Sequence, residues 1–250
     1  MKNIKVRTKL TIIVALVLVL VASESFISIQ NMNQLKNKAL DTMDTSSRQN
    51  YDDSIKEQVG VVISLLSEIN NEYKAGRYSL DEAKKIAADE IRQMRYGNGG
   101  YFWVDQSDGK NIVLLGNSTE GTNRMNTKDA EGYQMVKEII RVAVQDGGGY
   151  TDYVFPKEGE TEPSPKRSYS EYFKPFDWVV GTGNYTDYID TAIAQQDEEF
   201  TSYASSKAIS LILCSVCMLI VVAILVALIA IDITKSLRKI KEQFEVIAGG

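Results

Sequence analysis

Residues 208–231 (AISLILCSVCMLIVVAILVALIAI) run 24 positions without a charged side chain, between Lys207 and Asp232. At about 1.5 Å per residue this is roughly 36 Å of helix, enough for a hydrocarbon core of about 30 Å. A buried core helix of that length would keep a polar stripe, and this segment has none. The expectation is a transmembrane helix. Cys214 and Cys217 sit inside it as a C-x-x-C. Within an apolar helix two thiols read as small apolar side chains rather than as a redox or metal motif.

The N-terminus repeats the theme. Lys2, Lys5, Arg7 and Lys9 precede LTIIVALVLVLVAS, then Glu24 and the apolar FISI. A secretory signal has the same layout, with Val21-Ala22-Ser23 as a candidate cleavage site. The stretch reaches about 20 residues if Glu24 lies near the outer interface, which favours an uncleaved span over 10–29. Basic residues precede this span, and Lys235, Arg238, Lys239 and Lys241 follow the second. The positive-inside rule therefore puts 1–9 and 232–250 in the cytoplasm and 30–207 outside a cell membrane.

Charge and composition then narrow the chemistry. Residues 32–206 carry 19 Lys and Arg against 29 Asp and Glu, a net of −10, within a chain whose net charge is −5. Such a balance disfavours a nucleic-acid partner. The chain has no histidine, which excludes Ser-His-Asp and Cys-His catalysis and any histidine-ligated zinc or haem. Two cysteines make neither a disulfide scaffold nor a four-cysteine metal site. Asp105 and Asp108 are the nearest thing to paired carboxylates. They fall in a stretch, 105–109, that reads as a turn, and the glycine clusters match no phosphate-binding loop. No enzyme activity, metal or cofactor is expected.

Between the spans, Ile55, Val59, Val62, Leu66, Ile69 and Tyr73 form one apolar stripe at alternating four- and three-residue spacing. That spacing predicts a long helix over about 31–73, continuous with the first span. Ser79 and Glu82 have the spacing of a capping box opening a second helix through Met94. After Gly97 the pattern turns to strands: 101–104 and 111–115 as a hairpin, then 150–155, 166–173 and 178–182. A helix over 129–145 lies between them, Pro163-Ser-Pro165 and Pro175 read as loops, and a last helix over 186–206 enters the second span. The fold class is α+β: a long N-terminal helix plus an antiparallel sheet, flanked by two membrane helices.

Three runs carry a resemblance. They are Arg95-Tyr-Gly-Asn-Gly-Gly-Tyr101-Phe-Trp103-Val104, Pro165-Lys166-Arg167-Ser168-Tyr169, and Phe173-Lys-Pro-Phe-Asp-Trp178-Val-Val-Gly181-Thr-Gly183-Asn-Tyr185. In order and spacing, 31–206 resembles the single Cache sensor domain of bacterial transmembrane receptors, of the methyl-accepting chemotaxis type. The resemblance implies a PAS-like sheet and a pocket for small ligands, often short carboxylic acids. Many members have a histidine-proline pair after the first hairpin; here the stretch reads Val113-Leu-Leu-Gly-Asn117.

The residues themselves point the same way. Tyr101 and Trp103 share one strand face. Arg95 precedes them, and Tyr153, Lys166 and Tyr169 come from strands of the same sheet. Cations and tyrosine hydroxyls are the donors a carboxylate needs. Arg124, in the loop after the hairpin, is a further candidate. Lys166 and Tyr169 have opposite parity, so without a bulge only one of them faces a pocket. The plain alternatives are core packing for the aromatic pair and surface ion pairs for Arg95 and Lys166.

Beyond Asp232, residues Ile233, Leu237, Ile240, Phe244 and Ile247 form a heptad seam, suited to a homodimeric coiled coil. The tail resembles the first helix of a HAMP linker, with Ser236 where that family usually has proline. The chain ends within that motif, as a piece of a longer receptor would, and the resemblance implies a cytoplasmic signalling partner. A basic helix against anionic lipid is the simpler reading of the tail. A sensor kinase or cyclic-dinucleotide enzyme would use the same front end. A membrane-anchored solute-binding protein without signalling is the rival from another class.

Overall fold

The structure, a computed structural model, describes residues 6–97, 99–157 and 159–248. Lys2, Lys5, Asn98 of the glycine-rich run and the terminal Gly249-Gly250 lie outside the described residues. By packing, the chain divides into a compact unit over residues 42–193 and a second one made of the helical arms before and after it.

The arms belong to two long helices, α1 (Val6–Lys74) and α4 (Asp187–Ala248). In the arm unit, Ser25 and Ser215 hydroxyls lie 3.2 Å apart. Lys36 Nζ donates to Asp197 Oδ1 at 2.8 Å and to Thr201 Oγ1 at 3.1 Å. Both helices are long and apolar enough to cross a membrane, and the side chains of their most apolar stretches are not buried in the protein. Water would penalise that much exposed aliphatic surface, whereas lipid would not.

In the compact unit, α1 is followed by α2 (Leu80–Gln93), β1 (Arg95–Tyr96), β2 (Gly100–Gln106), β3 (Asn111–Leu114), α3 (Met135–Asp146), β4 (Gly148–Pro156), β5 (Pro163–Phe173) and β6 (Trp178–Tyr185). All strand pairs are antiparallel. The sheet order is β1-β2-β6-β5-β4, with β3 also on β2. The capping box forms as the spacing predicts: Ser79 Oγ accepts the Glu82 N–H and Glu82 accepts the Ser79 N–H.

One sheet face packs on α1 and α2. The α1 stripe Ile55, Val59, Val62, Leu66 and Ile69 is buried against Ala87 and Ile91 of α2, Phe102 and Val104 of β2, and Trp178 and Val180 of β6. Tyr51 joins α1 to the sheet. Its hydroxyl lies 2.6 and 2.7 Å from the carbonyl oxygens of Arg167 and Asn184, between which it shares one proton, and it accepts the Asn184 N–H at 2.6 Å. Beside it, both Asp52 carboxylate oxygens accept from the Arg167 guanidinium, at 2.6 and 2.8 Å. The opposite face packs on α3 through Trp103, Val179, Met135, Val136, Ile139 and Ile140.

Three local expectations change. Residues 129–134 precede α3 instead of joining it, because Asp129 Oδ1 accepts the N–H groups of Glu131 and Tyr133, which holds the backbone in a turn. Pro163 and Pro165 lie within β5 rather than in a loop. They pair with β4 alone, since β6 ends opposite Lys166, and an edge tolerates a residue with no N–H. Asp105 is a fully buried strand residue rather than the start of a turn.

Tyr51→Phe keeps the ring and removes the hydroxyl that satisfies three backbone groups. Leaving buried peptide groups unpaired costs about 1–3 kcal/mol. We expect a loss of that size in chemical denaturation of the compact unit, with far-UV dichroism unchanged; unaltered stability would contradict the anchoring role.

Candidate ligand-binding site

Strand alternation gathers the chemistry on the α3 side of the sheet. β2 directs Tyr101, Trp103 and Asp105 there, β4 Tyr153 and Phe155, β5 Lys166, and β6 Tyr185. Together with Arg124 from the loop and Met135, Val136 and Ile139 of α3, most of these enclose a cavity of about 30 Å³. Five of the seven residues singled out from the sequence line it: Tyr101, Trp103, Arg124, Tyr153 and Lys166.

Lys166 is the unusual member. It is only 2% exposed, and among the described residues no carboxylate pairs with it. Nζ donates to Tyr101 Oη at 2.9 Å. It lies 4.6, 5.0, 5.4 and 5.7 Å from the ring centroids of Tyr101, Tyr185, Phe155 and Trp103. Ring faces attract a cation, but they replace only part of the lost hydration. Burial, and then the nearby Arg124 charge, pull the Lys166 ammonium down to about 7. The surface ion pair considered for this lysine is not what the fold builds.

Arg124 is held differently. Its Nε and Nη2 donate to the two Asp105 oxygens at 2.6 and 2.5 Å, a bidentate fork on a carboxylate with no exposure. Asn111 Nδ2 donates to the same carboxylate at 3.0 Å. Asp105 therefore works as a strut that aims the guanidinium. The neighbouring loop is fixed by Glu120, which accepts N–H groups from Leu114 and Gly116 and the Arg92 guanidinium.

Trp103 lies against Gly181 on β6. A Cβ at that glycine would come within 2.6 Å of the indole and 2.7 Å of Ser170 Oγ, so only glycine lets the ring lie flat there. Among the described residues, Trp103 Nε1, Thr151 Oγ1 and Ser170 Oγ are buried without a hydrogen-bond partner, and strand parity puts all three on the α3 side. Tyr153 pairs with Ser168, and burial pushes its phenol well up, so it stays a neutral donor.

Arg95 and Tyr169 do not line the cavity. Arg95 is exposed, and its Nη1 donates to the Arg92 and Met94 carbonyls at 2.9 and 2.7 Å, capping the α2 C-terminus. Tyr169 faces the helices, its ring 5.0 Å from that of Tyr150, as its opposite parity to Lys166 requires. Phe155, Tyr185 and the α3 residues are not among the sequence candidates, and Asp105 reads from sequence only as part of a turn. The two-residue period of β2 and β4 carries the signal for Asp105 and Phe155. The Val113–Asn117 stretch supplies only Leu114 to the wall.

The sheet thus carries a long helix on one face and a small cation-lined cavity on the other. Residues 47–199 match the family Single Cache domain 2, and the chain belongs to that family. It is 29% identical over 177 residues to the methyl-accepting chemotaxis protein McpP of Pseudomonas putida, an overlap of 70% of this chain and 30% of the relative. It is 33% identical over 177 residues to the sensor histidine kinase MctS of Rhizobium johnstonii, covering 70% and 37%. The chain thus spans about a third of the length of these relatives. Among solved structures, a periplasmic sensor domain of a chemotaxis protein superposes with a TM-score of 0.53 at 30% identity, covering 56% of this chain and 96% of that one. A Cache chemosensory domain, solved for the structural basis of its carboxylic acid recognition, gives 0.54 at 27% identity, covering 56% and 97%.

Asp105→Asn should show what the strut does. Breaking a buried ion pair by removing one partner costs about 3–5 kcal/mol. We expect a loss of that order in urea unfolding of the purified chain, and a change below about 1 kcal/mol would contradict the role.

Proposed function

We propose that the chain is the sensing front end of a transmembrane receptor and that its cavity binds a carboxylate of two or three carbons. The observation that carries this reading is Lys166: a buried cation with no carboxylate partner among the described residues, lining the same cavity as a guanidinium held by Asp105. An anion between them would complete the charge balance, and phenol and indole donors surround the same space. The cavity is about 30 Å³, room for about two water molecules at most. Any ligand must therefore be small, and it has to lift the Met135–Val136–Ile139 side of α3. The carboxylic acid recognised by a structural relative supports the ligand class.

In this reading 10–29 and 208–231 cross the membrane, 30–207 lies outside, and 232–250 begins a HAMP linker that pairs with a second copy. The signal leaves through Tyr185, which sits two residues before the start of α4 and touches Lys166 with its ring. A ligand favouring one placement of that ring would shift the population of α4 positions. Relatives of two output types, chemotaxis proteins and a sensor kinase, support a signalling role; the chemotaxis route is the one proposed here.

Lys166→Met and Arg124→Met should each weaken acetate binding about 10- to 150-fold, the equivalent of a charged hydrogen bond worth roughly 1.5–3 kcal/mol. Arg95→Ala should stay within twofold of wild type. Titration calorimetry reads all three, and an unaffected Lys166→Met would remove the proposed site. For topology, reporter fusions at Gly147 and Gly250 should report opposite compartments, and the same compartment for both would overturn the receptor arrangement.

A further inference from the structure

We propose that the cavity takes up its carboxylate together with a proton, so that the domain senses an acid anion and ambient pH jointly. The inference rests on the carboxylate reading of the same site and concerns how the charge balance there is reached.

Four elements and one loop face the Lys166 amine. From β2 comes the Tyr101 hydroxyl, 2.9 Å away. From β4 come Phe155 and Tyr153, the latter a phenol that burial keeps protonated. From β6 comes the Tyr185 ring, whose hydroxyl donates to the Pro156 carbonyl. From α3 come only Met135, Val136 and Ile139. The loop contributes Arg124, a second cation, and the one carboxylate behind it, Asp105, is already engaged in two hydrogen bonds with Arg124. Among the described residues no opposite charge holds a proton on this 2%-exposed amine, and the Tyr101 hydroxyl and the ring faces replace only part of its lost hydration. Removal from water and the guanidinium both favour the neutral form, and the amine loses its proton near pH 7 in the empty site. An arriving carboxylate reverses the balance, because it supplies the missing opposite charge at contact distance. Amine protonation and anion binding must then strengthen each other by the same factor. A buried lysine serves such coupling and an arginine would not, since guanidinium does not release its proton in this range.

The sign of the pH effects follows. Below pH 7 the amine is already charged and the anion binds without proton exchange. Above pH 7 each binding event draws one proton from solvent, so affinity falls by roughly tenfold per pH unit. In the ligand-free protein the direction is opposite. An unfolded lysine keeps its proton to about pH 10.4, so between 7 and that value the unfolded state binds more protons and folding stability rises with pH.

The test is calorimetric titration of the full chain in detergent micelles with sodium acetate and, separately, sodium propionate. Each is measured at pH 6.0 and 8.5 in two buffers of different ionisation enthalpy. We expect uptake of about one proton per ligand at pH 8.5 and about a tenth at pH 6.0, with affinity more than tenfold weaker at the higher pH. Acetate or propionate binding that is equally tight at both values and takes up no proton would overturn the coupling while leaving the carboxylate site standing. Binding of neither at any pH would overturn both. A second readout needs no ligand: the melting temperature of wild type relative to Lys166→Met should climb between pH 7 and 9.5. A constant difference would overturn the proposal.

Discussion

Side chains alternate across a strand, and this organises the whole sensing unit because the two sheet faces meet different surroundings. Lys166 and Arg167 show it most plainly. Lys166 enters the aromatic cavity beneath α3, while Arg167, the next residue, is clamped by Asp52 of α1. A one-residue slip of β5 would exchange them, setting Lys166 against the long helix and opening the cavity to the wrong side chain. Tyr51 guards against that slip, since its hydroxyl bonds backbone groups of both β5 and β6 at the same level. The ligand side and the helix side are therefore coupled through two adjacent residues of one strand.

The site itself departs from ordinary core packing, and its departures agree with one another. Among the described residues a buried amine lacks an opposite charge and three buried polar atoms lack partners, and the cavity beside them is small. Each would be destabilising in a plain core. The surrounding structure is heavily tied down to tolerate them: Asp105 fixes Arg124, Glu120 fixes the loop, and Gly181 lets the indole lie flat. Local unfavourable features held by rigid neighbours are the pattern expected of a functional site rather than of a plain core, and the anion site proposed above would account for them.

Much of this is legible in the sequence. The α1 stripe, the Ser79–Glu82 box, the hairpin and the opposite parity of Lys166 and Tyr169 follow from periodicity and capping chemistry alone. Arg95 leaves the site because sequence proximity to Tyr101 says nothing about direction, and the nearby helix end offers it carbonyls. Asp105 looks like a turn residue because Asp-x-x-Asp-Gly has turn composition, while its burial depends on Arg124, 19 residues away. The onset of α3 was misplaced by the Asp129 side chain, whose bonds to later N–H groups compete with the helix. The strand order, with β6 between β2 and β5, was not derivable from local pattern at all. That order is what brings Tyr185 next to Lys166.

The central claim is that an anion sits between Lys166 and Arg124. The most direct measurement is a crystal structure of residues 31–206 grown with acetate as the only carboxylate. The account predicts planar density within hydrogen-bond distance of both Lys166 Nζ and the Arg124 guanidinium, with α3 displaced outward from its ligand-free position. A cavity that stays closed, with Lys166 still bonded only to Tyr101 at saturating acetate, would contradict it.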